Sequence, residues 1–337
     1  MERKTDSKEA VQKRMAAAWE VLLSMQRHSW EQGLAMQALY EAGDMETVIR
    51  MAYEAVNRSM PDGRCAAIGV THAVTDPVSV GEALLAAAAR TKDPLLVEGE
   101  KRLRSWALDH APGNAEGIVY HMDTGCEFWA DSFYMLPPYL AVIGEKEEAI
   151  RQFEGYWKAL YNEKNGLLFH IWDDAGHKPS DARCWGIGNG WCLMAIARIW
   201  KALGEDSAWE KARMDLASKG TALLEQILSY RTENGSFHGI LDDPNTYEES
   251  GIAQMCAYTI YRGLRDGWIR EEDRLRSGAS WRDTADSLRL QAEGKQDACG
   301  FIRDVCGAPS FEESGIAPEQ QSIFIMMEQA YLDSLSD

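Results

Sequence analysis

Two aspartates stand where polar loops open into helical segments. Asp76 begins DPVSVGEALL, and Asp131 lies within FWADSFYMLPPYLA. Chemistry on a sugar ring uses two carboxyl groups facing one substrate, one to supply a proton and one to accept it or hold the ring. Asp131 is flanked by aromatic and apolar residues, surroundings that disfavour ionisation and keep an acid protonated near neutral pH. Each carboxylate also has a structural reading. Asp76 followed by Pro77 suits a helix N-cap, and Asp131 suits a helix-opening residue tied into a hydrogen-bond network.

Tryptophans gather at the same places. Of 12 in the chain, Trp30, Trp129, Trp185 and Trp191 lie at such openings. An indole is a flat apolar platform with one N–H donor, suited to the apolar face of a sugar ring, although core packing accounts for most tryptophans. His28, His72, His121 and His170 lie in or near the same loops, where a neutral imidazole can bond sugar hydroxyls or orient a carboxylate. Within GIGNG, residues 186–190, Asn189 can donate and accept at a cleft. The glycines lack the GxGxxG spacing of a dinucleotide loop and suit close helix packing instead. No HExxH, P-loop or GxSxG elbow is present, so neither metal nor cofactor is expected.

These residues need helices to position them. AVQKRMAAAWEVLLSMQ, METVIRMAYEAV, GEALLAAAARTKD, IRQFEGYWKALYNE, WCLMAIARIWKALG and LASKGTALLEQILSY repeat apolar residues at helical spacing. Strand patterns are short, LLFHIW being the best. Six times a polar or Gly-rich loop opens into a small-residue-rich helix, from His28, Asp76, Phe128, Trp185, Tyr247 and Phe311, and the last two openings share EESGIA. Stacked helical hairpins give such repeats. Six of them predict an all-α toroid, an (α/α)6 barrel with about twelve main helices, whose inner-helix openings share one rim; an open solenoid is the competing arrangement. Residues 1–14 are expected to be a flexible leading segment and 15–334 a single catalytic domain.

Composition narrows the partners. The formal net charge of −18 disfavours nucleic acid and anionic membrane surfaces, but a local arginine can still hold a small anion. No run of 18 apolar residues occurs, so no spanning helix is expected. Seven cysteines without a CxxC pair read as reduced thiols. With a charged opening segment, MERKTDSKEAVQKR, they lead to an expectation of a cytoplasmic protein. Nothing in the sequence signals an oligomeric state.

WADSFYMLPPYLA at 129–141 and WGIGNGW at 185–191, supported by TDPVSVGEALL, GLLFHIWD, YEESGIAQMCAY and APEQQSIF, resemble segments of the unsaturated glycuronyl hydrolases, glycoside hydrolase families 88 and 105, especially the latter. The resemblance spans about residues 15–334. It implies a six-hairpin α/α barrel, no cofactor, and a small oligosaccharide substrate carrying a 4,5-unsaturated uronic acid at its non-reducing end. It further implies hydration of the C4–C5 double bond, with Asp131 as proton donor to C4 and then base for water addition at C5. Asp76 then assists or holds the ring. Substrate-binding positions are expected at Trp30, His28, His72, His121, Trp129, His170, Arg183, Trp185, Asn189 and Trp191. One departure stands out: the related segment often reads WxRGNGW, whereas Ile187 occupies the arginine position here, leaving Arg64 and Arg183 as candidate replacement cations. A sugar epimerase, a conventional glycosidase and a non-catalytic sugar-binding scaffold are the alternatives.

Overall fold

Capping and periodicity set the outer helices. Ser7, Asp44, Asp93 and Ser280 each accept a backbone N–H at a helix start, which satisfies donors that the first turn leaves unpaired. The computed structural model describes residues 6–69, 71–307 and 310–335. Among them the α-helices are α1 (Lys8–Ser24), α2 (Ser29–Glu41), α3 (Met45–Asn57), α4 (Gly81–Thr91), α5 (Pro94–Ser105), α6 (Ser132–Met135), α7 (Pro137–Val142), α8 (Lys146–Leu160), α9 (Gly186–Leu203), α10 (Glu210–Leu228), α11 (Gly251–Asp266), α12 (Trp281–Glu293) and α13 (Pro318–Asp333).

They pair into six hairpins. The outer arms α1, α3, α5, α8, α10 and α12 are amphipathic. In α3 the buried residues are Val48, Met51, Ala52 and Ala55, one stripe facing inward. The inner arms are α2, α4, the α6–α7 pair, α9, α11 and α13. In α9 every residue from Gly186 to Ile199 is buried, as expected for a helix packed on all sides. Small residues allow this: a Cβ on Gly33 would lie 2.0 Å from Ser79 Oγ, and one on Gly190 would lie 2.2 Å from Met255 Sδ. Helix α13 packs on both α11 and α2, so the ring closes. The solenoid alternative is excluded, and the architecture is the expected all-α toroid.

Three details differ from the sequence reading. Residues 8–14, assigned to the leading segment, are the first turns of α1; residues 1–5 lie outside the described residues. The third inner arm is broken at Leu136, because Pro137 removes the N–H that would continue the ladder. The second inner arm opens with a tight 3-10 turn, Asp76–Val80, for which Thr75, not Asp76, is the capping position.

Short strands line the rim: β1 (Glu127–Trp129), β2 (Tyr161–Asn162), β3 (Leu167–Leu168), β4 (Ile171–Asp173), β5 (Lys178–Asp181), β6 (Phe237–His238), β7 (Glu248–Glu249), β8 (Val305–Gly307) and β9 (Ser310–Gly315). LLFHIW thus divides into β3 and β4, with Phe169 and His170 between them. β1, β4 and β5 form one antiparallel sheet in which Trp129 is opposite Ile171. No helix among the described residues is long and apolar enough to cross a membrane.

Candidate active site

The inner-arm openings converge on a cavity of about 350 Å³. Its walls include Trp30, Asp76, His121, Trp129, Asp131, His170, Arg183 and Trp185. Eight sequence-predicted residues are therefore brought together: five from four separate openings, and His121, His170 and Arg183 from the loops that lead into them.

Asp76 is on the 3-10 turn and is 5% exposed. Because Thr75 occupies the capping position, the Asp76 carboxyl is available to the cavity, 3.7 Å from His121 Nε2. Burial pushes it well above the ordinary carboxylate range, and the charge of Asp131 adds to the shift. Asp131 immediately precedes α6. Its Oδ2 is buried without a hydrogen-bond partner and lies 3.7 Å from His170 Nε2. The Asp131 side chain is 18% exposed against 8% for Asp76. The apolar enclosure expected for Asp131 falls more heavily on Asp76.

The two histidines differ. His121 is buried; its Nδ1 is 2.9 Å from Thr75 Oγ1 and 3.0 Å from Ser132 Oγ, and its ring stacks on Trp129 at 4.5 Å. Burial lowers its pKa to about 4, so it is neutral near pH 7. His170 instead places Nδ1 3.0 Å from Asp181 Oδ2. Burial alone would raise the Asp181 carboxyl, but hydrogen bonds from Arg183 and His170 outweigh it and hold Asp181 well below the usual range. An ionised Asp181 accepts, so His170 Nδ1 donates to it and Nε2 is the nitrogen turned toward Asp131.

Arg183 lines the cavity but is already paired, with Asp181 Oδ2 at 2.7 Å and Glu312 Oε1 at 2.9 Å. Arg64, the other candidate cation, is buried beneath the Trp106 face and bonds Asp62 and the carbonyls of Thr71 and Ala73. It is a scaffold residue.

Four predicted binding residues are placed elsewhere. His28 stacks behind Trp30 at 4.8 Å and its backbone N–H donates to Glu31, fixing the start of α2. His72 is solvent-exposed and paired with Asp123. Asn189 is buried as a bracket between loop and helix, bonding both backbone groups of Leu168 and the carbonyl of Trp185. Trp191 is buried against Tyr134 and does not line the cavity. Loop openings gave the correct neighbourhood, but they do not distinguish a residue facing the cavity from one facing the helix behind it.

The sequence reading missed Glu319, Met122, Phe311 and Glu312, which also line the cavity. Glu319 is in the first turn of α13, 2% exposed; its Oε2 accepts from Trp30 Nε1 at 2.7 Å, and its Oε1 has no partner. Burial first, then the nearby Glu31, raises its carboxyl to about 8. The available signal was a carboxylate in the opening turn of an inner helix, the criterion applied to Asp76. Phe311 and Glu312 are on β9, and Phe311 packs edge-on against Trp185. The repeated EESGIA hid this. At 248–253 it starts helix α11, and Glu249 caps Gly251 and Ile252; at 312–317 it continues strand β9 and α13 starts only at Pro318.

An (α/α)6 toroid with acidic groups, indoles and histidines at one mouth is the architecture of a carbohydrate-active enzyme. The profile of Glycosyl Hydrolase Family 88 matches residues 1–313, and the chain belongs to this family of hydrolases. It is 27% identical over 314 residues to the unsaturated rhamnogalacturonyl hydrolase YesR of Bacillus subtilis, covering 82% of this chain and 89% of that one. Among solved structures, a family 105 glycoside hydrolase of C. acetobutylicum superposes with a TM-score of 0.77 at 18% identity, covering 95% of this chain and 98% of that chain. The unsaturated glucuronyl hydrolase of Bacillus sp. GL1 superposes with a TM-score of 0.70 at 14% identity, covering 96% of each.

Proposed function

We propose that the protein removes a 4,5-unsaturated uronic acid from the non-reducing end of a short oligosaccharide by hydrating the C4–C5 double bond. The observation that carries this reading is the Asp131 carboxyl oxygen, unpartnered and facing a cavity walled by indoles, beside a second carboxyl, Asp76, whose burial disfavours its charged form. Family membership and the likeness to an unsaturated rhamnogalacturonyl hydrolase support it.

In this mechanism Trp129 and neighbouring indoles hold the ring. Asp131 gives its proton to C4, and the positive charge that develops at C5 is shared with the ring oxygen. Water adds to C5 and its proton passes to the Asp131 carboxylate, which restores the acid. The resulting hemiketal opens and the aglycone leaves. Asp76, carrying a proton, donates a hydrogen bond to the ring and adds no second negative charge. His170, held by Asp181, orients Asp131. The cycle needs no cofactor.

A cavity of about 350 Å³ suits a short fragment better than a polymer. A reducing compartment such as the cytoplasm fits the free cysteines. The test is loss of ultraviolet absorbance from a panel of lyase-generated disaccharides, rhamnogalacturonan-derived and glycosaminoglycan-derived. Consumption of at least one with loss of the double bond is expected. A folded protein that consumes none would refute the proposal.

A further inference from the structure

The substrate of the proposed reaction carries a carboxylate, yet among the described residues the cavity offers it no unoccupied cation. Arg183 is held by Asp181 and Glu312. Arg64 is held by Asp62 and two carbonyls. Position 187, where the related segment often has an arginine, is a fully buried isoleucine that does not line the cavity. The remaining walls bring Asp76, Asp131 and Glu319 together. With all three ionised the cavity would repel a uronate, so its recognition has to come from a neutral donor.

Glu319 has the geometry for that role. It is 2% exposed, so its position is fixed by packing. Trp30 Nε1 donates to Oε2 at 2.7 Å, leaving Oε1 as a buried polar atom with no protein partner on a residue that lines the cavity. We propose that Glu319 is a specificity-determining residue that, as a neutral acid braced by Trp30, directs a hydrogen bond from Oε1 onto the carboxylate of the uronic acid. The inference rests on the proposed substrate class but concerns its recognition, separately from the proton transfer at Asp131.

Burial and the negative charges facing Glu319 favour the neutral form, and they outweigh the hydrogen bond from Trp30, which favours the charged one. Glu31 on α2 is itself shifted upward by burial, and Asp131 at the start of α6 adds negative charge. Cys306 on β8 faces it as a thiol whose pKa burial also raises. Asp76 shares the cavity wall, together with the neutral His121, with His170 and with the Arg183–Glu312 pair. On its own helix, the neighbouring Gln320 is uncharged, and its side-chain amide acts against the upward shift. The carboxyl titrates at about 8, so a donor is present at pH 6.5 and is replaced above pH 8 by a charge of the same sign as the ligand.

Binding of D-glucuronate and D-glucose is measured by calorimetry between pH 6 and pH 9.5, for the wild type, Glu319→Gln and Glu319→Leu. Glutamine keeps an acceptor for Trp30 and a neutral donor for the ligand, but cannot titrate. The wild type is expected to prefer glucuronate at pH 6.5, with its Kd rising about fivefold from pH 8 to pH 9. Glucose shows no such rise. Glu319→Gln keeps the preference and loses the alkaline rise; any titration of Asp76 would move both proteins alike. Glu319→Leu loses about ten- to a hundredfold in glucuronate affinity at pH 6.5. The proposal is overturned if the wild type does not prefer glucuronate, if Glu319→Gln shows the same alkaline rise, or if it loses glucuronate binding at pH 6.5. Turnover of unsaturated disaccharides, scored separately, decides the substrate class, so the two ideas fail independently.

Discussion

Asp181 decides which nitrogen of His170 faces Asp131, and that makes a residue outside the cavity lining part of the mechanism. Asp181→Asn removes the ionised acceptor on Nδ1 and releases the tautomer. The expected result is a lower kcat with little change in KM, and a smaller loss than the 10²–10⁴-fold expected for a group that transfers the proton itself; an unchanged kcat would contradict the role. Asp76 presents the complementary case. Asp76→Asn keeps a neutral donor and should lose less turnover than Asp76→Ala, compared by steady-state kinetics at pH 6.5. Legibility was uneven at this scale. Asp131 was readable from its aromatic and apolar neighbours and Asp76 from its place at the start of an inner arm, although Glu319 met the second criterion as well. Asn189 and Trp191 were misplaced because a buried bracket and a cavity wall look alike in GIGNGW.

Burial leaves a signature in pH-dependent stability as well. His121 takes its proton near pH 4 when folded, against 6.5 for the ordinary group. The stability it supports is complete above about 6.5 and is lost as pH falls toward 4. Glu319 has the opposite sign: raised from 4.5 to about 8, it supports stability that is complete below about 4.5 and lost as pH rises to 8. Glu249, raised to about 7, behaves likewise. Thermal unfolding from pH 6 to pH 8.5 should show a declining Tm for the wild type and a shallower decline for Glu319→Gln. Parallel curves would contradict the assignment.

At the scale of elements, the hairpin formed by β8 and β9 closes one side of the cavity. Phe311, only 37% exposed although it is on a surface strand, packs against Trp185, and the Tyr247 hydroxyl donates to the Phe311 carbonyl at 2.9 Å. Phe311→Ala should therefore raise KM for an unsaturated disaccharide and leave Tm within about 1–2 °C of the wild type, read by kinetics and calorimetry together. A changed kcat with unchanged KM would contradict a role in holding substrate. The helical arms were legible from periodicity, and the six openings correctly marked the six inner arms. The β8–β9 hairpin was not, because EESGIA reads identically in both copies while its structure depends on the residues C-terminal to it. At 318 a proline, favoured in a first helical turn, starts α13 later than the first copy starts α11.

At the scale of the whole molecule, the mouth opposite the active site holds a larger cavity, about 500 Å³, walled by ion pairs. Arg198 on α9 reaches Glu82 on α4 at 2.6 Å. Arg262 on α11 reaches Glu41 on α2 at 2.7 Å and Asp333 on α13 at 2.6 Å. The Arg262–Asp333 pair ties adjacent arms, whereas Arg262–Glu41 and Arg198–Glu82 each reach past an intervening arm to join inner helices that are not neighbours in the ring. Arg262→Ala leaves the buried Glu41 carboxylate without its cation, while Asp333 keeps Arg265 at 2.8 Å, and should cost about 3 kcal/mol, measured by urea unfolding, while kcat at the distant mouth stays near the wild-type value. Ring closure itself was readable from six repeats and a closed set of small-residue helices. The ion pairs that fasten it were not, since Arg262 and Glu41 are 221 positions apart in the chain.

The most direct measurement is made in deuterium oxide. An unsaturated disaccharide is incubated with the wild type and with Asp131→Asn, the reaction is quenched early, and the uronic product is analysed by NMR. If Asp131 protonates C4, the wild-type product carries one deuterium at C4 with a single configuration, in step with loss of the double bond, and the variant releases product more slowly by about 10²–10⁴-fold. Aglycone released with C4 unlabelled and the double bond intact, or an Asp131→Asn variant that turns over at the wild-type rate, would contradict the mechanism.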